Sequence, residues 1–320
     1  MEERGFIPET KYTNAEETQE YGGDLAQRYG LHEHALLQTQ VKKVVWQESS
    51  RRWQVTTDRG DVLHARFVIH SNGPLNRPKL PGIKGIDQFK GHTFHTSRWD
   101  YAYTGGNTFG GLSQLSDKRV AVIGTGATAV QCVPHLAESA KALYVFQRTP
   151  SSIDVRNNQP TDPNWISQQP AGWQKRRQTN FESIMSGAPV KEDLVGDGWT
   201  EAFRNLFGSI GELMPSKARL AMWAVQGVFS SKRRERGLRP YLTDRAIQYM
   251  GLIQKMEMAD FNKMEKVRAR ADELIADKLT AESLKPYYRQ FCKRPCFHER
   301  YLQSFNTYKV TPLDTKEQGL

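Results

Sequence analysis

The stretch KRVAVIGTGATAVQCVPHLAESAKALYVFQRTP, residues 118–150, constrains this chain more than any other. Arg119 to Ile123 reads as a short apolar strand, Gly124 to Ala129 as a glycine turn, Thr128 to Glu138 as a helix and Ala142 to Gln147 as a second strand. A lone GxGxxA match is weak, but a strand before it, a helix after it and a strand again make a nucleotide-binding β-α-β unit. Gly124 permits the tight turn, Gly126 leaves room for a pyrophosphate against the backbone, and Ala129 lets the helix approach the sheet closely. The phosphate charge would meet unpaired N–H groups at the helix start, across Thr125, Ala127 and Thr128.

The end of the second strand bears on which dinucleotide fits. A site selective for NAD carries an acidic residue about 20 positions on, to hold the ribose 2′-hydroxyl. Here Gln147-Arg148-Thr149 occupies that place, and Glu138 falls too early, inside the helix. A guanidinium attracts a 2′-phosphate through a charge-assisted and potentially bidentate contact, so NADP is favoured over NAD. A second basic pair, Lys293-Arg294, lies in FCKRPCFHERY between Phe291 and Pro295-Cys296-Phe297, which predicts a rigid, partly buried position. Its residues alone leave open whether it serves a site or only solvates a surface.

Residues 14–30 predict a helix with Asn14 as N-cap and Glu17 at capping-box spacing, interrupted by Gly22-Gly23. From Val41 to Ile69, alternating and extended apolar residues (Val44, Trp46, Trp53, Val55, Val62, Phe67) predict a β-meander that ends in a buried strand at 67–70. Pro74, Pro78, Pro81, Gly82 and Gly85 then punctuate a connector, and a second glycine-rich loop spans 104–117. Beyond a loop at 154–172, helices are expected over 173–186, 199–210, 216–234, 242–258 and 260–278. Met222, Met250, Met256, Met258 and Met264 are expected to pack in their cores, and Arg233 to Arg236 to cover a solvated helix end.

Composition removes several classes. Of 320 residues 38% are hydrophobic and 25% charged, and polar residues break every apolar run well before the roughly 20 residues of a membrane span. MEERGFIPET has no signal-peptide character, so a cytoplasmic protein without stable membrane insertion is expected. Three cysteines, Cys132, Cys292 and Cys296, argue against a disulfide framework, and no His/Cys pair completes a metal site with the last two. The net charge of +10 is spread, with 18 basic against 15 acidic residues in the first 150 and 27 against 20 in the rest, which speaks against nucleic-acid binding. Cys132 sits mid-helix in an apolar setting and should be inert. In FKGHTFHTSRWD, residues 89–100, an extended backbone would point His92 and His95 to opposite sides, a poor geometry for a metal.

Three segments together resemble the flavin-dependent Baeyer-Villiger monooxygenases. Phe89, Gly91, His95, Thr96, Trp99 and Asp100 match that family's fingerprint, GTGATA with Gln147-Arg148-Thr149 its NADP motif, and KRPCFHERYLQSFNTYKV at 293–310 the segment bearing its active-site Lys-Arg pair. The resemblance implies an α/β flavoprotein with two dinucleotide-binding domains, here a complete NADP Rossmann-like domain, a partial FAD domain and a helical insertion. The implied division is a partial FAD-binding domain at 1–75 and an interdomain linker at 76–117. The NADP-binding domain covers 118–155 with 286–310, a helical insertion shaping the substrate region 156–285, and a return toward the FAD domain begins at 311–320. By the same resemblance Arg148, Thr149 and Lys293 contact the NADP 2′-phosphate, and Arg294 is the catalytic arginine beside a flavin peroxide. His95 serves catalysis from the linker, by supporting the coupling of the two domains. NADPH would reduce FAD, O2 would add at the flavin C4a position, and the peroxide would attack a ketone to give an ester or lactone. N- or S-oxygenation is the nearest alternative activity.

The resemblance also implies a first β-α-β unit for FAD, and residues 1–40 contain none. The sequence is therefore expected to be a fragment, with Met1 at an internal position and further chain expected beyond Leu320. Such a fragment is expected to keep NADP affinity while holding FAD weakly and turning over slowly or not at all, or to act only as an NADP-binding or interaction module.

Overall fold

In a computed structural model the described residues are 2–73, 77–188, 190–213 and 239–315. The chain divides into two compact units, residues 13–99 and residues 1–12 with 100–320.

In the first unit, helix α1 (Ala15–Arg28) starts where the sequence predicts, with Asn14 Oδ1 accepting the Glu17 N–H at 2.8 Å. Strands β1 (Val41–Gln47), β2 (Arg52–Thr57) and β3 (Val62–Ala65) form the antiparallel meander. Its register sets Val44 opposite Val55, Trp46 opposite Trp53 and Val55 opposite Leu63. Cross-strand pairs of this kind are the unit of sheet stability, and the two indoles meet edge to face at 5.4 Å. At the second turn Gly60 has φ +85°, and the Thr57 hydroxyl donates to Asp61 Oδ2 at 2.9 Å.

The predicted buried strand at 67–70 does not form. Those residues make no ladder, and Phe67 and Ile69 are 82% and 88% exposed. An apolar run is buried as a strand only where neighbouring strands pair with it, and among the described residues none does.

The second unit is built on a parallel sheet in the order β4 (Arg119–Ile123), β5 (Ala142–Gln147), β8 (Val310–Asp314). Helix α3 (Ala127–Ser139) packs on it through Val130, Val133 and Leu136 against Leu143 and Val145 of the sheet, all at most 4% exposed. The sheet's last strand runs to Asp314, so residues 311–314, expected to leave for the other domain, stay paired with Tyr144 to Gln147. A shorter parallel pair joins β6 (Ile153–Asp154) to β7 (Cys296–Phe297).

Helices α4 (Pro163–Ser167) and α5 (Trp173–Met185) follow β6, then α6 (Gly198–Leu213). The helices expected at 242–258 and 260–278 are one, α7 (Arg239–Leu274), because nothing between Leu252 and Leu274 breaks a helix. A short α8 (Lys278–Ser283) follows, capped by the Asp277 carboxylate on the Thr280 N–H at 2.8 Å. Met264 is 1% exposed, whereas Met258 is 59% exposed and not in the core. The helix at 216–234, Met222 and Arg233 to Arg236 lie outside the described residues.

Residues 9–12 run beside 158–161, with Lys11 N–H donating to Gln159 O and Thr161 N–H to Glu9 O, each at 2.9 Å. The Glu2 carboxylate accepts the Gly172 N–H at 2.6 Å and the Gln174 N–H at 3.2 Å, capping α5 from 170 residues away. No helix among the described residues is long and apolar enough to cross a membrane. None of their His, Cys, Asp and Glu side chains form a group of three or more that could hold a metal ion.

Candidate nucleotide-binding site

At the carboxyl end of β4 the chain turns through Gly124, whose φ of +104° suits glycine alone and whose N–H donates to Phe146 O at 2.9 Å. Thr125 is buried at 7% exposure; its hydroxyl donates to Thr149 O at 2.8 Å, and the Ser151 hydroxyl donates to Thr125 O. These bonds tie the glycine turn to the loop after β5, so the Thr125 side chain braces the site from within. Gly126 caps α3 without any side-chain bond, and the first intrahelical bond runs from Val130 N–H to Gly126 O at 3.0 Å. The N–H groups of Ala127, Thr128 and Ala129 consequently have no acceptor in the helix.

A Cβ added at Gly126 meets no atom within 4 Å. The space over the helix start is open, which fits a pyrophosphate drawn to free N–H donors and the positive helix end. Ala129, at 7% exposure, lies on the sheet side and permits the close approach of α3.

At the end of β5, Gln147 points inward at 1% exposure and donates to Ser283 O at 2.6 Å, while Arg148 is exposed. Alternation along β5 turns Gln147 to the core with Leu143 and Val145, and Arg148 lies just past the strand's end. Lys293 and Arg294 are both exposed, not partly buried as expected; Pro295 and Cys296 behind them are buried. Cys296 N–H donates to Ser152 O and His298 N–H to Asp154 O, each at 2.9 Å, so residues 296–298, just after Lys293-Arg294, run alongside residues 152–154, just after Arg148-Thr149.

That parallel pair is clamped from behind. Lys263 of α7, 7% exposed, bonds Asp154 at 2.7 Å and Glu201 at 3.0 Å. Burial alone would lower its pKa, but the hydrogen bonds it donates to the two carboxylates outweigh burial and raise it. Arg270 donates to Ile153 O at 3.2 Å and to His298 O at 3.1 Å, taking one carbonyl from each side of the pair. Tyr288 bonds the same loop, its hydroxyl donating to Pro150 O at 2.9 Å and accepting from Ser152 N–H at 3.0 Å. None of Lys263, Arg270 or Tyr288 is marked by a motif, because each is defined by partners far along the chain.

His95 belongs to the other unit and shapes a turn there. Its Nδ1 accepts the Ser97 N–H at 3.2 Å and lies 2.8 Å from the Ser97 hydroxyl, capping the single turn Thr96–Arg98. Phe94 packs edge to face on Trp99 at 5.3 Å. Asp100 caps the short helix α2 (Tyr101–Thr104) by accepting the Tyr103 N–H at 3.1 Å. Cys132 is mostly buried, which pushes its thiol up to about 11 and keeps it unreactive.

Residues 2–169 match the sequence profile of the pyridine nucleotide-disulphide oxidoreductases. Across all 320 residues the chain is 48% identical to Baeyer-Villiger monooxygenase ATR8 of Stachybotrys chlorohalonatus, covering 47% of that protein. The fold superposes with a TM-score of 0.79 on a polycyclic ketone monooxygenase from the thermophilic fungus Thermothelomyces thermophila, at 36% identity over 99% of this chain and 48% of that one. OTEMO in complex with FAD and NADP gives a TM-score of 0.68 at 26% identity, over 99% of this chain and 54% of that one. The chain thus spans about half the length of the proteins it matches. It belongs to the pyridine nucleotide-disulphide oxidoreductase family of enzymes and is related within it to the flavin-dependent Baeyer-Villiger monooxygenases.

Proposed function

We propose that this chain is the NADPH-docking part of an FAD- and NADPH-dependent monooxygenase that inserts one atom of O2 beside a ketone carbonyl, giving an ester or lactone. The observation that carries this reading is the open start of α3, with Lys293 held by Tyr288, whose hydroxyl bonds Pro150 O just after Arg148-Thr149. In it the N–H groups of Ala127, Thr128 and Ala129 hold the pyrophosphate, with Gly124 and Gly126 leaving the room. Arg148, Thr149 and Lys293 take the 2′-phosphate. Arg294, the neighbour of Lys293 in sequence and exposed in this chain, supplies positive charge against negative charge that develops during oxygen transfer, a stabilisation that grows once water is excluded around it.

Flavin supplies the oxygen activation in a reaction of this class. Among the described residues the parallel strand, glycine turn and helix unit occurs once, and the unit 13–99 holds antiparallel strands only. No described residue is therefore assigned to FAD, which enters the proposal through relatives such as OTEMO. The same observation favours a second reading, an NADP-binding module without oxygen chemistry of its own.

Incubation of the chain with FAD, NADPH, 18O2 and paired probes, a cyclic ketone and a thioether, separates these readings by mass spectrometry. A lactone carrying one 18O, formed slowly, is expected. Sulfoxide without lactone would replace ketone oxidation by heteroatom oxygenation, and NADP binding with neither product would leave the module reading.

A further inference from the structure

Tyr288 joins the two basic segments of the proposed NADP site. Its half-buried side chain bonds Pro150 O and Ser152 N–H through the hydroxyl, and the Lys293 ammonium lies 5.7 Å from its ring centroid. Beside it the Tyr287 hydroxyl donates to Thr149 Oγ1 at 3.5 Å, and the two phenol rings meet edge to face at 6.1 Å. One tyrosine pair is thus fastened to residues 149–152 and carries Lys293, far along the chain from them. Burial pushes the Tyr288 hydroxyl up to about 12, so it stays a proton donor to Pro150 O.

An exposed lysine on a four-carbon stem samples many rotamers, and ordering it at a phosphate costs entropy. A ring face under the ammonium restricts that search by cation-π attraction and leaves its N–H donors for an anion. We propose that Tyr288 is a positioning residue for NADP-over-NAD selectivity, holding the Lys293 ammonium at the 2′-phosphate contact made by Arg148 and Thr149. The proposal rests on the NADP reading above. Tyr288 acts through Lys293 and touches no reacting atom.

The test is calorimetric titration of the whole chain with NADP+ and with NAD+, for the wild type, Y288F, Y288L, K293M and Y288L/K293M. The wild type should prefer NADP+ by at least about tenfold, as expected of charge-assisted bonds to a 2′-phosphate. Y288F should lower that ratio about threefold and Y288L about threefold to tenfold, with the NAD+ affinity unchanged, in keeping with a lost cation-π contact and a loosened anchor. Y288L/K293M should match K293M, because the tyrosine acts only through the lysine. Equal weakening of both nucleotides, a wild-type ratio in both tyrosine variants, or a double variant that loses the sum of both effects would overturn the proposal. If Y288L does not fold, Y288F and Y288F/K293M decide by the same criteria. A wild type that binds the two nucleotides equally would overturn the NADP reading itself.

Discussion

Gly124 and Gly126 are one residue apart and are constrained for different reasons. Gly124 is held by its backbone, at φ +104°, although a side chain there would meet no atom within 4 Å. Gly124→Ala should therefore cost about 1–2 kcal/mol of folding stability through strain alone. Gly126 has ordinary extended backbone, and a side chain would enter open space. Gly126→Val should cost at most about 1 kcal/mol as a poorer helix cap, yet lower NADP+ affinity by more than about tenfold by filling the room for pyrophosphate. Urea midpoints and NADP+ titration of the two variants check the contrast; equal NADP+ affinity in Gly126→Val and the wild type would remove the pyrophosphate from this position. Gln147 and Arg148 are also adjacent and differ: alternation along β5 sends Gln147 into the core, and Arg148, just past the strand's end, is exposed.

The elements are held by side chains that cross between them. Lys263 joins α7 to β6 through Asp154 and to α6 through Glu201, whose side chains are 18% and 50% exposed. Lys263→Met would leave Asp154 partly buried without its cation. The expected loss is about 1–3 kcal/mol, below the roughly 3–5 of a fully buried pair because Glu201 is half in water. A thermal midpoint lower by about 2–4 °C per kcal/mol would show it, and an unchanged midpoint would count against the clamp. His298 adds a pH dependence on the other strand. Burial lowers its pKa, with Arg300, Arg156 and His135 pushing the same way and Glu299 opposing, and its Nδ1 accepts the Arg300 N–H at 3.0 Å. The unfolded chain, with an imidazole near about 6.5, takes up the proton first, so the stability from a neutral His298 is complete above that pH and is lost as pH falls through it toward the folded value. Denaturation midpoints should drop more between pH 7 and 5.5 in the wild type than in His298→Asn, as that linkage requires.

At the scale of the molecule, the two units differ in how their apolar residues are used. Leu143, Val145, Val130 and Val133 are at most 1% exposed in the parallel unit, whereas in the unit 13–99 Val62, Leu63, Phe67 and Ile69 are all at least 44% exposed. Phe67→Ser with Ile69→Ser should therefore change the folding stability of the chain by less than about 0.5 kcal/mol, as for surface positions generally. A larger loss in urea denaturation would mean that these side chains pack in solution.

The β-α-β unit was legible because everything it needs is local: a strand-length apolar run, a glycine that can take positive φ, a helix-length repeat and a second run, all within 31 residues from Arg119 to Thr149. Residues and spacing settled α1 with its Asn14 cap and the meander for the same reason. The strand at 67–70 was misread because an apolar run records a tendency to be buried, while a ladder also needs partner strands. The break expected near residue 259 was a boundary error, since no residue there interrupts the helical hydrogen bonds. The alignment of Lys293 with the loop after Arg148 depended on tertiary structure. The strands that carry it, β6 and β7, have two residues each, too few to show a period, and Tyr288, Lys263 and Arg270 reach residues 152–154 on the β6 side from more than 100 residues away. Sequence alone determined what is decided by neighbours along the chain, including the glycine turn between β4 and α3 and the sign of charge beside it. Tertiary structure decided which distant side chains meet that turn, because burial and long-range hydrogen bonds exist only once the chain has closed on itself.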